Sequence, residues 1–237
     1  MVQWLLSVVV IAAFVMTFIL QAFEIPSDSM EKTLLVGDYL LVSKVAYANG
    51  GIWSSFLPYS KLRRGDIVVF RYPLRPTQHF VKRVIGIPGD RIHLSNKQVF
   101  VNGKPLIEGY TIYKSTTRDY YRDDFPNTNY ISGNVDSKWW IQMRKLIDNG
   151  NLIVPEGHYF VMGDNRDDSS DSRYWGFVPQ ENVEGRPLLI YWSVDRDAED
   201  EENAENLQLN AKLSRMGNGF IRMFRDARWS RTMTIVR

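Results

Sequence analysis

Arg64-Gly65-Asp66-Ile67-Val68-Val69-Phe70 decides how this chain folds, together with His79-Phe80-Val81-Lys82-Arg83-Val84-Ile85-Gly86-Ile87-Pro88-Gly89-Asp90 beyond a proline-rich turn at 73–76. Each is a short run of β-branched and aromatic residues bounded by Gly, Asp or Pro, the pattern of a strand between turns. The same grammar extends in both directions. Leu34 to Ser43 is two apolar runs broken by Gly37-Asp38, and Val99-Phe100-Val101 meets Asn102-Gly103, a hairpin turn. Strands resume at Gly157 and continue to about Ser193, and helical periodicity is scarce. These segments predict a mainly β protein built on a coiled antiparallel β-sheet.

Three regions depart from that pattern. Residues 108–150 are rich in Tyr, Asp, Arg and Asn, with a helix expected around Ser137 to Asp148. They read as a small inserted α/β subdomain or extended loop, leaving 24–107 and 151–194 as the β-rich core. Trp4 to Phe23 is twenty residues without a charge, and at the helical rise that length spans a hydrocarbon core. No Lys or Arg precedes the run, and Leu20-Gln21-Ala22-Phe23 lacks the small-x-small exit of a cleaved leader. Residues 1–23 therefore read as one uncleaved transmembrane helix, with Trp4 and Phe23 at the interfaces. The flanking charges fit an N-in, C-out topology. In 195–237, an acidic linker (seven Asp and Glu from Asp195 to Asn206) precedes a basic tail with seven Lys and Arg against Asp226. The tail is expected to pack on the domain as a last helix and strand; an interfacial segment touching anionic lipid is the other reading.

Across all 237 residues, 44% hydrophobic and 24% charged content excludes a disordered or polytopic membrane chain. A net charge of +2 gives no reason to expect nucleic acid as a partner. The absence of cysteine removes disulfides, thiolate metal sites and a cysteine nucleophile.

Three segments could carry chemistry. Ile25-Pro26-Ser27-Asp28-Ser29-Met30 puts two serines just past the apolar run, though such clusters are also ordinary turn material. A serine nucleophile needs a base. His79, His93 and His158 leave a Ser-His-Asp triad open, but no G-x-S-x-G elbow accompanies them. Lys82 is the other option, because strand alternation puts it on the face of Phe80 and Val84 with Arg83 pointing away. Among apolar neighbours its pKa should fall toward neutrality, unless the side chain reaches water. The third segment, Gly163-Asp164-Asn165-Arg166-Asp167-Asp168-Ser169-Ser170-Asp171-Ser172-Arg173-Tyr174-Trp175-Gly176, has enough donors and acceptors for a buried hydrogen-bonded corner. The register and terminal Glu of a calcium loop are missing from it.

Taken in order, five stretches resemble bacterial type I signal peptidases: 25–30, Thr33-Leu34-Leu35-Val36-Gly37-Asp38, 64–70, 80–90 and 163–176. The resemblance covers roughly residues 20 to 194. It implies a membrane-bound serine endopeptidase that cuts signal peptides from exported preproteins after an Ala-x-Ala-like site, without cofactor or metal. By resemblance, Ser29 is the nucleophile, Lys82 the general base and Ser27 an oxyanion donor. Ser169 would hydrogen-bond the Lys82 amine, and Asp171 and Arg173 would brace the corner. Ile25, Met30, Leu34, Phe80 and Val81 would line shallow pockets for small side chains. It further implies a monomer in the bacterial cytoplasmic membrane, catalytic domain outside, near the secretion translocon. Asp28 stands where the family very often has Gly, Lys32 where many members have Pro, and Asp168 in place of a frequent Asn. The alternatives are a related Ser-Lys protease with one dedicated substrate and an inactive, membrane-tethered peptide-binding subunit. Ser29 and Lys82 are the residues that discriminate the last of these.

Overall fold

The computed structural model describes residues 2–47, 61–195 and 225–236. The acidic run beyond Asp195 and the first part of the basic tail lie outside the described residues. Helix α1 (Val2–Phe14) continues through a π-helical turn at Val15–Ile19 and then gives way to strand β1 (Leu20–Glu24). The expected helix was to run to Phe23. Its last four residues instead pair with β2 (Asp38–Ser43), Leu20 opposite Ser43 and Phe23 opposite Leu40. The β2 edge supplies hydrogen bonds for this backbone, and Phe23 packs on the core there, so strand displaces helix. Among the described residues no helix is long and apolar enough to cross a membrane. The helix that is present exposes Trp4, Leu5, Leu6 and Ile11, each more than 60% accessible.

The remaining strands follow the sequence reading at 67–71, 79–86, 98–101 and between 158 and 193, whereas those at 91–95, 104–105, 147–148 and 151–153 were not picked out there. The first strands after β2 are β3 (Ile67–Arg71), β4 (His79–Gly86), β5 (Arg91–Ser95), β6 (Gln98–Val101) and β7 (Lys104–Pro105). Helix α2 (Ser137–Lys145) leads into β8 (Ile147–Asp148), β9 (Asn151–Ile153) and β10 (His158–Met162). Helix α3 (Ser172–Trp175), β11 (Val178–Pro179), β12 (Val183–Ser193) and β13 (Thr234–Ile235) complete the order. The larger sheet runs β1-β2-β12-β3-β4-β10-β11, with β13 on β12, and all its pairings are antiparallel. β12 is the spine: its first residues pair β3 and its later ones β2, with register shifts at 183–185, 187–189 and 190–192. Such bulges bend a strand and curl the sheet. At Gly185 the strands come so close that a side chain would overlap the Ser43 carbonyl.

The smaller sheet, β7-β6-β5-β9-β8, draws on 91–105 as well as on 147–153. It therefore starts inside the stretch assigned from sequence to the β core. One cluster joins the two sheets: Ile85 and Phe160 of the larger pack with Ile92, Val99 and Leu152 of the smaller and with Trp139 and Met143 of α2. The hairpin at Asn102-Gly103 is present, both residues at positive φ (53° and 75°), as a two-residue turn between twisted strands requires. Helix α2 is capped by Asp136, whose side chain accepts from Trp139 N–H. The C-terminal segment packs on the sheet as a strand, and Arg231 reaches the fully buried Asp38 at 2.5 Å.

Candidate active site

Beyond β1 the backbone leaves the sheet edge at Ile25, whose N–H and C=O bond to Asp38 O (2.9 Å) and Gly37 N (3.0 Å). It then closes a single 3-10 turn, Asp28–Met30, from which Thr33 N–H and Leu34 N–H donate back to Met30 O. Met30 and Leu34 point into the core between β2, β3 and β12, and this burial anchors the turn. Ser29 is 8% exposed. Lys82 comes from β4, paired to Val68 of β3 on one side. On the other side β10 pairs only Arg83 to Gly86, so its ladder does not extend over His79 to Lys82.

The structure brings Ser29 and Lys82 together: Lys82 Nζ donates a hydrogen bond to Ser29 Oγ. Lys82 is 4% exposed, and its Nζ lies 5.7 Å from the Phe80 ring centre. Burial lowers its pKa from 10.5 to about 8, with Asp171, Asp164 and Asp28 pulling it back up and Arg173 pushing it down. A free amine then exists in useful amount near neutrality, and an amine beside a hydroxyl can take its proton as the oxygen attacks. Ser27 Oγ, on the exposed shoulder of the turn, stands 3.4 Å from Ser29 Oγ.

The corner from 163 to 173 packs behind both residues. Arg173 grips Asp171 with two hydrogen bonds of 2.8 Å, and both are buried. Burial works against the Asp171 carboxylate, but Arg173 and Lys82 outweigh it and hold its pKa below the ordinary value. Ser169 is buried beside Asp171 and helps to hold that carboxylate ionised. The hydrogen bond expected from it to the Lys82 amine is not made. Gly163 is fixed by close approach, because a side chain there would overlap Ser29 O and Ser169 Oγ.

Several bracing residues escaped the sequence reading. Asp164, fully buried, takes hydrogen bonds from Arg83 Nε (2.8 Å) and Nη2 (2.7 Å) and from Thr33 Oγ1 (2.5 Å). Asn165 N–H donates to Ser29 O at 3.1 Å, and its side-chain amide approaches Asp28 O at 3.4 Å. The available signal was Arg83: a cation aimed away from the lysine face on a buried strand demands a carboxylate.

A cleft of about 400 Å³ opens over the pair, lined by Ile25, Pro26, Ser27, Asp28, Ser29, Met30, His79, Phe80, Val81 and Lys82, with Phe23, Glu24, Asp168 and Ser170 at its margins. Four of the five residues expected to line small pockets are here. Leu34 is not: it is wholly buried in the cluster behind Met30, because the 3-10 turn directs it inward. A second, shallower cleft near Tyr120 and Tyr130 shares no residue with this one.

A serine hydroxyl against a desolvated amine, at the floor of an apolar cleft, equips a β-sheet scaffold for nucleophilic catalysis. Residues 1–192 match the family model described as signal peptidase, peptidase S26. The signal peptidase I of Aquifex aeolicus (strain VF5) is 36% identical over 257 residues, covering 92% of this chain and 96% of that one. That of Pseudomonas fluorescens is 35% identical over 193 residues, covering 75% of this chain and 66% of that one. A signal peptidase I of known structure from Enterococcus faecalis V583 is 33% identical, with a TM-score of 0.34, covering 54% of this chain and 97% of that one. The chain belongs to the signal peptidase S26 family and is a serine endopeptidase.

Proposed function

We propose that this enzyme cleaves signal peptides from exported preproteins, with Ser29 as nucleophile and Lys82 as general base. The observation that carries the reading is the contact between Lys82 Nζ and Ser29 Oγ in surroundings that favour the neutral amine. The peptide lies extended beside His79 to Lys82, adding a strand where β10 does not pair. Small residues at the first and third positions before the cut face Ile25, Met30, Phe80 and Val81. The scissile carbonyl sits over Ser29. Attack forms a tetrahedral oxyanion near Ser29 N–H and Ser27 Oγ, which meet charge that develops only at that stage. The protonated lysine returns its proton to the leaving amine, and water later releases the acyl group by the same base. Asp171, Arg173 and Ser169 hold the corner against which Lys82 packs.

Membrane attachment belongs to the same reading. The exposed apolar side chains of α1 end at Phe14, fifteen residues before Ser29 with β1 between them, so a bilayer taking up that helix tethers the catalytic domain to the lipid surface. The domain then faces the extracytoplasmic side, where a signal peptide's cut site emerges. Replacing Ser29→Ala or Lys82→Ala is expected to abolish cleavage of a preprotein bearing an Ala-x-Ala site, measured by the appearance of mature protein on a gel. Cleavage retained in either variant would sink the dyad.

A further inference from the structure

The turn that carries Ser29 holds charges for which hydrolysis has no use. Asp28 precedes the nucleophile, and Glu31 follows it by two residues. Lys114 reaches across to both: its Nζ is 3.4 Å from Asp28 Oδ2 and in direct contact with Glu31 Oε2. The three side chains are partly exposed, 44% for Lys114, 41% for Asp28 and 31% for Glu31. The stretch bearing Lys114 is firmly tied. Ile112 forms a parallel bridge to Asn165, donating its N–H to Asp164 O (2.9 Å) and accepting from Arg166 N–H (3.0 Å). Lys32 Nζ donates to Gly109 O (2.7 Å) and Thr111 O (3.2 Å). Lys114 is thus held over the nucleophile turn by a segment bound to the same corner that braces Ser29.

Asp28 adjoins Ser29, whose Oγ touches Lys82 Nζ. The charged groups acting on Lys82 are Asp171, Asp164 and Arg173 from the corner and Asp28 from the turn. The corner carboxylates each have a bidentate arginine. Asp28 has Lys114. An anion at position 28 favours the ammonium form of the base, and a cation clamped on it opposes that. We propose that Lys114 is a positioning residue for charge: by holding Asp28 and Glu31 in ion pairs it keeps the Lys82 amine available near neutral pH. This rests on Lys82 being the general base. Hydrogen bonding to Glu31 raises the pKa of Lys114, so its own charge is constant over the working range and the sign of its effect does not change.

The experiment is the pH profile of kcat/KM for preprotein cleavage by the full chain in detergent micelles. Lys114→Gln is expected to raise the ionisation of the acid limb by a few tenths, about 0.3, of a pH unit, the scale for partly exposed charges several ångströms apart. Lys114→Arg leaves the limb in place, and Asp28→Asn lowers it. In the Asp28→Asn background the Lys114→Gln shift shrinks, the remainder coming from Glu31. All shifts fade at about 0.5 M salt. A merely structural role would depress the rate at every pH without moving the ionisation. A limb that moves in Asp28→Asn but not in Lys114→Gln overturns the proposal. A parent enzyme with no ionisation on its acid limb overturns Lys82 as base, and this inference with it.

Discussion

Lys82→Met is expected to inactivate the protein and, at neutral pH, to stabilise it. Met nearly conserves the volume of the side chain and fits the apolar cleft floor. The magnitude follows from the buried ammonium. A pKa of about 8 in the fold against 10.5 in the open chain is a difference of about 2.5 pH units, equivalent to about 3 kcal/mol. Below pH 8 both states carry the proton, and the folded state bears the whole cost. Between about 8 and 10.5 the folded state has released its proton while the unfolded chain keeps it, so stability climbs with pH. Above 10.5 both are neutral and the cost is gone. Losing the contact to Ser29 Oγ removes about 1 kcal/mol from the variant. The Met variant should therefore lead by about 2 kcal/mol at pH 7 and trail by about 1 kcal/mol above the open-chain pKa. Guanidinium unfolding of both proteins in one detergent, at several pH values from 7 to 10.5, measures this gap. A gap that stays flat over the range, or a Met variant less stable at pH 7, would refute the claim that the lysine is held against its preferred charge.

Two further outcomes follow from the same geometry. The acid limb of kcat/KM should rise tenfold per pH unit through neutrality and level off near 8, because only the neutral amine accepts the serine proton; a climb continuing to 10.5 would mean the amine is solvated. Asp164→Asn leaves the buried Arg83 guanidinium without its carboxylate and should cost about 3–5 kcal/mol in denaturant unfolding. It should also lower kcat more than it raises KM, since Asn165, which holds Ser29 O, follows directly in the chain; a loss below about 1 kcal/mol would show that Arg83 finds water instead.

What could be read from sequence was what is encoded locally. The alternation in 79–86 separated Lys82 from Arg83, and Asn102-Gly103 announced its hairpin. Helix α2 was expected to reach Asp148 but stops at Lys145, because Asn149 and Gly150, both at positive φ, turn the chain and draw Ile147 and Asp148 into a hairpin. That Asn-Gly signal was present in the sequence and outweighed by the helical pattern before it. Leu20 to Phe23 was beyond such reading, since an uncharged run suits a helix in lipid or a strand in a sheet equally well. Its choice rests on β2, a partner some twenty residues away. Arg231 on Asp38 is the extreme case: 193 positions separate them, and neither residue's neighbours point to the other. Leu34 departs from expectation for another reason: the family resemblance put it in the cleft, whereas the turn geometry sends the side chain behind it.

The buried charges, taken together, explain why one of them gives up its proton readily. Among the described residues the buried cations are Lys82, Arg83, Arg122, Arg166 and Arg173. Each arginine has a carboxylate: Arg83 has Asp164, Arg122 has Asp123, Arg166 has Glu108 and Arg173 has Asp171. Each of these carboxylates is likewise buried or nearly so, and the forked pairs fix the segments that bear them. Lys82 alone meets a hydroxyl instead. Its charge is therefore the one the fold does not neutralise directly, and losing a proton is the cheapest way to relieve it. The two faces of β4 then divide the labour. Arg83 locks the strand to Asp164, whose neighbour Asn165 holds the carbonyl of Ser29. Lys82, one residue away on the opposite face, arrives at the hydroxyl of that same serine. Ser29 and Lys82 are thus set in register by a rigid ion pair made from the adjacent residue, which is why a defect at Asp164 should appear in the rate as well as in stability.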